Sequence, residues 1–213
     1  MASNTSIGIG KKGSKFWMQT VVNLCDGIVL TKAIQSKDSN IGNIKWLSPL
    51  LKDDYRELKT YEIKGISKDQ LDFWPDKGPS WDGVGIDENG TIILVEAKAN
   101  INETRTKCSA SNSKSINQIK SSMKSVHNKI SSTDYDEDIW FNKYYQIGNR
   151  ITFLVKLKEK GFNVKLVLLN IVDDPTYIET SEEQWNKHYE DVFTEMLGCK
   201  DTPNDIIIVN LKS

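Results

Sequence analysis

Between Lys15 and Gln35 apolar residues recur at Phe16, Val21, Leu24, Ile28 and Ala33 with no proline, a spacing that predicts one helix. Asp53 and Asp54 stand where a second helix would open, with Tyr55, Leu58 and Tyr61 or Glu62 on successive turns. Residues 67–80, SKDQLDFWPDKGPS, carry two prolines and a glycine and read as a loop. Two apolar runs around a turn follow in WDGVGIDENGTIILVEAKAN, residues 81–100, and predict a β-hairpin. Ile116, Ile119, Met123, Val126 and Ile130 form the stripe of a helix over 109–130. Residues 137–161 read as one long amphipathic helix stopped by Gly161. VKLVLLNIV (164–172) is a buried strand, 181–198 a helix with Ser181 as its N-cap, and DIIIVNL (205–211) a final strand. Helices alternating with strands in the second half predict an α/β fold with a mixed central sheet flanked by helices.

The hairpin pattern fixes more than its existence. A three-residue loop, Glu88-Asn89-Gly90, with Gly90 in the left-handed position, pairs Asp87 with Thr91. Counting back from that pair sets Asp82 opposite Glu96, with Cβ atoms about 5 Å apart on one face. Alternation places Lys98 on the same face as Glu96.

Length and composition narrow the class. The 213 residues suit one domain with a sizeable core, taken here as 15–213 behind a small, polar, glycine-rich arm at 1–14. The arm holds a literal GxGxxG at Gly8, Gly10 and Gly13, but a dinucleotide fingerprint needs a buried strand immediately before it and only seven residues precede Gly8, so that reading is not expected to hold. Net charge is −1, which offers no global attraction to nucleic acid or membrane. The charge is nevertheless uneven. Residues 97–133 hold seven basic side chains against one acid, whereas 173–213 hold ten acids against three lysines. A basic segment directly after the hairpin is suited to phosphates, with Lys114, Lys120 and Lys124 as candidate contacts. Three scattered cysteines make no CxxC pair and argue against a zinc site or a disulfide framework. The absence of a long apolar segment leads to the expectation of a cytoplasmic protein with no membrane partner.

Candidate chemistry centres on the hairpin. Glu-x-Lys occurs at Glu57/Lys59, Glu62/Lys64 and Glu96/Lys98, where average usage predicts about one by chance. Only the third follows a strand-like run. Two facing carboxylates in a buried sheet repel each other, and one lysine cannot satisfy both. A divalent cation can, since Mg²⁺ accepts one or two carboxylates with water and phosphate oxygens completing its shell. Tyr145, Gln146, Asn149 and Arg150 form a polar cluster in an otherwise apolar helical stretch, where Arg150 is suited either to a phosphate or to a buried network. Gln118 on the basic helix is a candidate to orient a ligand or water. Only two histidines, His127 and His188, are present and neither adjoins a serine or cysteine motif, which leaves triad catalysis without a candidate; there is no Walker A loop.

Asp82, Glu96 and Lys98, with a hairpin between them and a basic helix after them, resemble the signature of the PD-(D/E)xK nuclease superfamily over about residues 50–172. The resemblance implies a restriction-endonuclease-like fold and hydrolysis of phosphodiester bonds in DNA, with RNA as the alternative substrate. It implies Mg²⁺, for which Mn²⁺ can substitute, held by Asp82, Glu96 and the Ala97 carbonyl, with Lys98 orienting or deprotonating the water or steadying the developing charge. Positioning and charge stabilisation are favoured for Lys98, because neighbouring carboxylates keep it charged. Many relatives add an acid from an early helix, for which Glu57 is the first candidate and Glu62 the second. The signature's proline is not next to Asp82. The literal Pro-Asp pair is Pro75-Asp76, so Asp76 stands in reserve as the first acid. Whether the chain is a homodimer is left open. The alternative is a non-catalytic nucleic-acid-binding or assembly module that retains the fold.

Overall fold

The computed structural model describes residues 8–76 and 78–213; most of the predicted arm, residues 1–7, lies outside them. Its elements are α1 (Gly13–Asn23), α2 (Ile28–Lys37), β1 (Ile44–Ser48), β2 (Leu58–Lys59), β3 (Ser80–Trp81), β4 (Gly83–Asp87), β5 (Ile92–Lys98), α3 (Ser113–Ile130), α4 (Tyr145–Glu159), β6 (Val164–Val172), α5 (Glu182–Leu197) and β7 (Ile206–Lys212). Five strands form one sheet in the order β1-β4-β5-β6-β7, and β2 and β3 form a small second ladder. β1, β4 and β5 run antiparallel to one another, whereas β5, β6 and β7 are parallel. The fold is α/β with a mixed sheet flanked by helices. Among the described residues no helix is long and apolar enough to cross a membrane.

Both faces of the sheet are covered, which explains why β5 and β6 read as continuous apolar runs rather than alternating ones. Ile93, Val95 and Ala97 of β5 pack with Val21 of α1 and with Leu30 and Ile34 of α2. Ile92 and Leu94 face the other way, into a core with Met123 of α3, Ile151 of α4 and Val192 of α5. Glu96 and Lys98 continue that second row, so they are aimed at the helices and not at water.

The hairpin has the expected register. Gly83 pairs with Val95 and Ile86 with Ile92, and the turn closes with Gly90 in the left-handed region at φ 81°. The Asp87 carboxylate accepts the N–H groups of Asn89 and Thr91 at 2.9 and 2.7 Å, which locks this loop length.

Three helical expectations are corrected. The single helix over 15–35 is broken at 24–27, where Cys25, Asp26 and Gly27 take φ of 48°, 52° and 74°. Gly27 lies so close to the Trp46 indole that a Cβ would stand 2.3 Å from its Cδ1. The break resets the helical phase, so Leu24 and Ile28 of the expected stripe are exposed while Leu30 and Ile34 are buried. No helix begins at Asp53. A short 3₁₀ turn ends in left-handed Asp54 and Tyr55, and the chain then enters β2. The long helix over 137–161 is instead a π-helical turn at Asp138–Lys143 followed by α4, with a break at Tyr144. Its expected stop is present, Gly161 at φ 89°. Residues Gly8 to Gly13, assigned to the arm, are tied down as the Gly10 N–H donates to Gln19 Oε1 at 2.6 Å and Gly13 begins α1.

Candidate active site

Asp82 sits at the bend between β3 and β4, one residue before the hairpin ladder begins. Its Oδ2 accepts the Ala97 N–H at 2.8 Å, so the side chain reaches across to β5 and caps the strand beside Glu96. Glu96, 2% exposed, receives two cations. Lys98 Nζ donates to its Oε1 at 2.5 Å and Arg150 Nε to its Oε2 at 2.6 Å. Two acids and two bases therefore meet at the C-terminal end of β5.

The polar face of α4 answers this charged row of the sheet. Gln146 Oε1 accepts from Lys98 Nζ at 3.2 Å, and the Gln146 N–H is held by Thr106 Oγ1 at 2.9 Å. Gln146 and Arg150 are four residues apart, hence stacked on one helical face. Arg150 further donates through Nη1 to Asn149 Oδ1 at 3.1 Å and through Nη2 to the Ser80 carbonyl at 3.0 Å. Its guanidinium lies 4.6 Å from the centroid of the buried Trp81 ring. Beneath the site, Asn170 lies beside Lys98 in the parallel ladder and accepts from the Tyr189 hydroxyl at 3.0 Å.

The two carboxylates are driven apart electrostatically. Burial raises the Asp82 pKa and the nearby Glu96 charge raises it further, to about 7, against smaller lowering by Lys98 and the Ala97 N–H. Burial also acts to raise Glu96, but Arg150 and Lys98 outweigh it and hold Glu96 below the usual carboxylate value. For Lys98, burial favours the neutral amine, yet Glu96 and Asp82 prevail and the pKa is raised. The resting site thus keeps Glu96 ionised, Lys98 protonated and Asp82 poised near neutrality.

The remaining candidates separate clearly. Glu57 is on no helix; it lies exposed in the segment before β2. Desolvation nevertheless raises its pKa, opposed first by Lys15 and reinforced by the Glu96 charge. Glu62 instead bonds Arg56 at 2.5 Å and the Lys59 N–H at 2.8 Å. Asp76 is exposed and lines a polar cavity of about 570 Å³ with Trp74, Ser109, Asn112 and Tyr145, apart from Glu96. Gln118 donates to the Asp72 carbonyl at 2.8 Å, so the glutamine beside Lys98 is Gln146, not Gln118. Arg150, expected at a phosphate or in a buried network, is in the network. Lys114 and Lys124 are exposed on α3, whereas Lys120 is paired with Glu137 at 2.6 Å. Asn170 and Tyr189 were not anticipated; a lone asparagine inside the apolar run VKLVLLNIV was their signal.

The donor set suits a small hard cation. A carboxylate has about four lone-pair positions, and Glu96 has committed one on each oxygen. Asp82 and the Ala97 peptide adjoin it, and two carboxylates with oxygen ligands from solvent match what Mg²⁺ accepts. No family model, no curated protein and no solved structure matches this chain.

Proposed function

We propose that this protein is a metal-dependent nuclease of restriction-endonuclease-like fold that hydrolyses phosphodiester bonds, with DNA as substrate and RNA as the alternative. The observation that carries the reading is the convergence of Asp82, Glu96 and Lys98 at one end of β5, in a hairpin entered from a helical layer and followed by a basic helix. The order of the main sheet's elements, with α1 and α2, then antiparallel β1, β4 and β5, then α3 and α4, then parallel β6, supports it as well. A cytoplasmic setting, with access to DNA, fits the same reading.

Asp82, Glu96 and the Ala97 carbonyl would hold Mg²⁺ or Mn²⁺, which when bound supplies an activated water and offsets charge in the transition state. Lys98 remains an ammonium, because its carboxylate neighbours favour the charged form. It therefore steadies developing negative charge and orients the attacked group, and is not a general base. Gln146 and Glu96 hold its Nζ in place. Glu57, exposed in the segment before β2, is the candidate for a third carboxylate toward substrate or water, and Lys114 and Lys124 meet the backbone phosphates.

A second reading, a nucleic-acid-binding or assembly module that does not cut, is favoured by one observation. Both oxygens of Glu96 are already bonded to cations, which leaves the quartet balanced without a metal. Incubation with plasmid and single-stranded DNA in Mg²⁺, with a chelator control and Lys98→Ala, separates the two. Chelator-sensitive cleavage lost in Lys98→Ala supports the nuclease. Salt-sensitive binding in chelator with no cleavage in Mg²⁺ supports the module.

A further inference from the structure

Arg150 contacts more of the site than any ligand candidate does. Its fork bonds Glu96 through Nε, Ser80 through Nη2 and Asn149 through Nη1, while its plane lies against Trp81. Ser80 and Trp81 are the two residues immediately before Asp82. The same pair forms β3, whose partners are Lys59 and Leu58, directly after Glu57. One planar group, 6% exposed, thus spans from Glu96 on β5 to the backbone that delivers Asp82 and, across a two-residue ladder, to the segment that delivers Glu57.

That placement is unlike a phosphate contact. Three of the roughly five N–H donors of an arginine are committed to protein oxygens, and reaching a backbone phosphate would strip Glu96 of a buried partner. A brace is what the geometry favours. We infer that Arg150 is a positioning residue: its guanidinium sets the spacing of Asp82 and Glu96 for a single divalent cation, and acts on the reaction only through them. The inference rests on the metal-dependent reading above. A lysine in its place keeps the positive charge but presents one ammonium instead of a fixed fork, so it cannot hold Glu96, Ser80 and Asn149 together.

The test is calorimetric titration of Mn²⁺ into the full chain without DNA, for wild type, Arg150→Lys and Asn149→Ala. Each is kept well below its own melting temperature, read by circular dichroism. Losing the partner that orients a carboxylate ligand weakens metal affinity about 10- to 100-fold, and Arg150→Lys is expected in that range. Asn149→Ala, which removes one anchor of the fork and no charge, should weaken Mn²⁺ in the same direction by a smaller factor. It decides the question if Arg150→Lys does not fold. In cleavage, KM for DNA and its salt dependence should stay at wild-type values while the Mn²⁺ requirement rises. Unchanged Mn²⁺ affinity with a raised KM and a flatter salt dependence would identify a phosphate contact and overturn the inference. Unchanged affinity with only a lower melting temperature would reduce Arg150 to a structural role and overturn it as well. If the wild type binds no Mn²⁺, the nuclease reading falls and this inference with it. Binding by wild type and Arg150→Lys alike removes the inference alone.

Discussion

Replacing Asp82 with asparagine should stabilise the metal-free protein at alkaline pH. Asp82 is a carboxyl whose folded pKa, about 7, lies above its ordinary value of 3.8, through burial and then the Glu96 charge. Between those two values the folded chain binds more protons than the unfolded one, so stability falls as pH rises through this window and levels off above it. At 1.36 kcal/mol per pKa unit the ceiling is on the order of 4 kcal/mol. Asp82 is half-buried, so screening by solvent reduces the expected gain to about 1–2 kcal/mol. Asparagine keeps an acceptor for the Ala97 N–H, so the existing bond is not forfeited. For a domain of this size about 1 kcal/mol shifts Tm by roughly 2–4 °C. In chelator at pH 8, Asp82→Asn is expected to melt about 2–8 °C above wild type, and the gap should close toward pH 4. Mn²⁺ at about a hundredfold excess over Kd should stabilise wild type by roughly 2.7 kcal/mol and leave Asp82→Asn almost unmoved, while Asp76→Asn behaves as wild type. Thermal melts across pH, with and without metal, provide the readout. A variant that melts below wild type at pH 8, or a gap that does not depend on pH, would refute the two-carboxylate argument; a metal shift abolished by Asp76→Asn instead would move the first acid to Asp76.

Lys98→Ala should fold and lose cleavage by about 10²-fold or more in kcat, as expected for removing a charge at the reacting centre; circular dichroism and a plasmid assay check both halves, and undiminished turnover would exclude Lys98 from the mechanism. Reversing Lys114 and Lys124 to glutamate should weaken DNA binding and flatten its salt dependence, whereas Lys120→Glu alone should do less because Glu137 already neutralises it; equal effects in a fluorescence anisotropy titration would contradict the pairing. Burial, and then Arg105, lowers the His188 pKa from 6.5 to about 4. Its contribution is therefore full above pH 6.5 and is lost as pH falls toward 4, so His188→Gln should flatten that decline in denaturant melts relative to wild type. Gly27→Ala should cost about 2–3 kcal/mol, since the new Cβ meets the Trp46 ring at a left-handed φ of 74°; a urea midpoint equal to wild type would show that the α1–α2 break is not locked by that contact.

What the sequence alone determined was local and periodic. Asp87, Asn89 and Gly90 dictate a three-residue turn, the turn dictates the register, and a two-residue side-chain period carries that register five residues along each strand to place Asp82 near Glu96. Ser181 and Gly161 marked helix ends for the same reason, because capping depends on neighbours in the chain. The errors fell where distant residues decide. Whether the helix begun at Gly13 continues past Asn23 depends on the Trp46 indole arriving beside Gly27, which no pattern in 15–35 contains. That Gln146 meets Lys98 depends on which helix face the sheet receives; Gln146 shares that face with Arg150, while Gln118 on α3 bonds the Asp72 carbonyl. The polar run Tyr145 to Arg150 was visible as an anomaly, but its meaning was not, because an arginine suited to phosphate and one suited to a buried carboxylate are identical in sequence. Packing resolved them: α4 lies over the row of β5 that ends in Glu96 and Lys98, and a buried carboxylate there must be met by hydrogen-bonding cations.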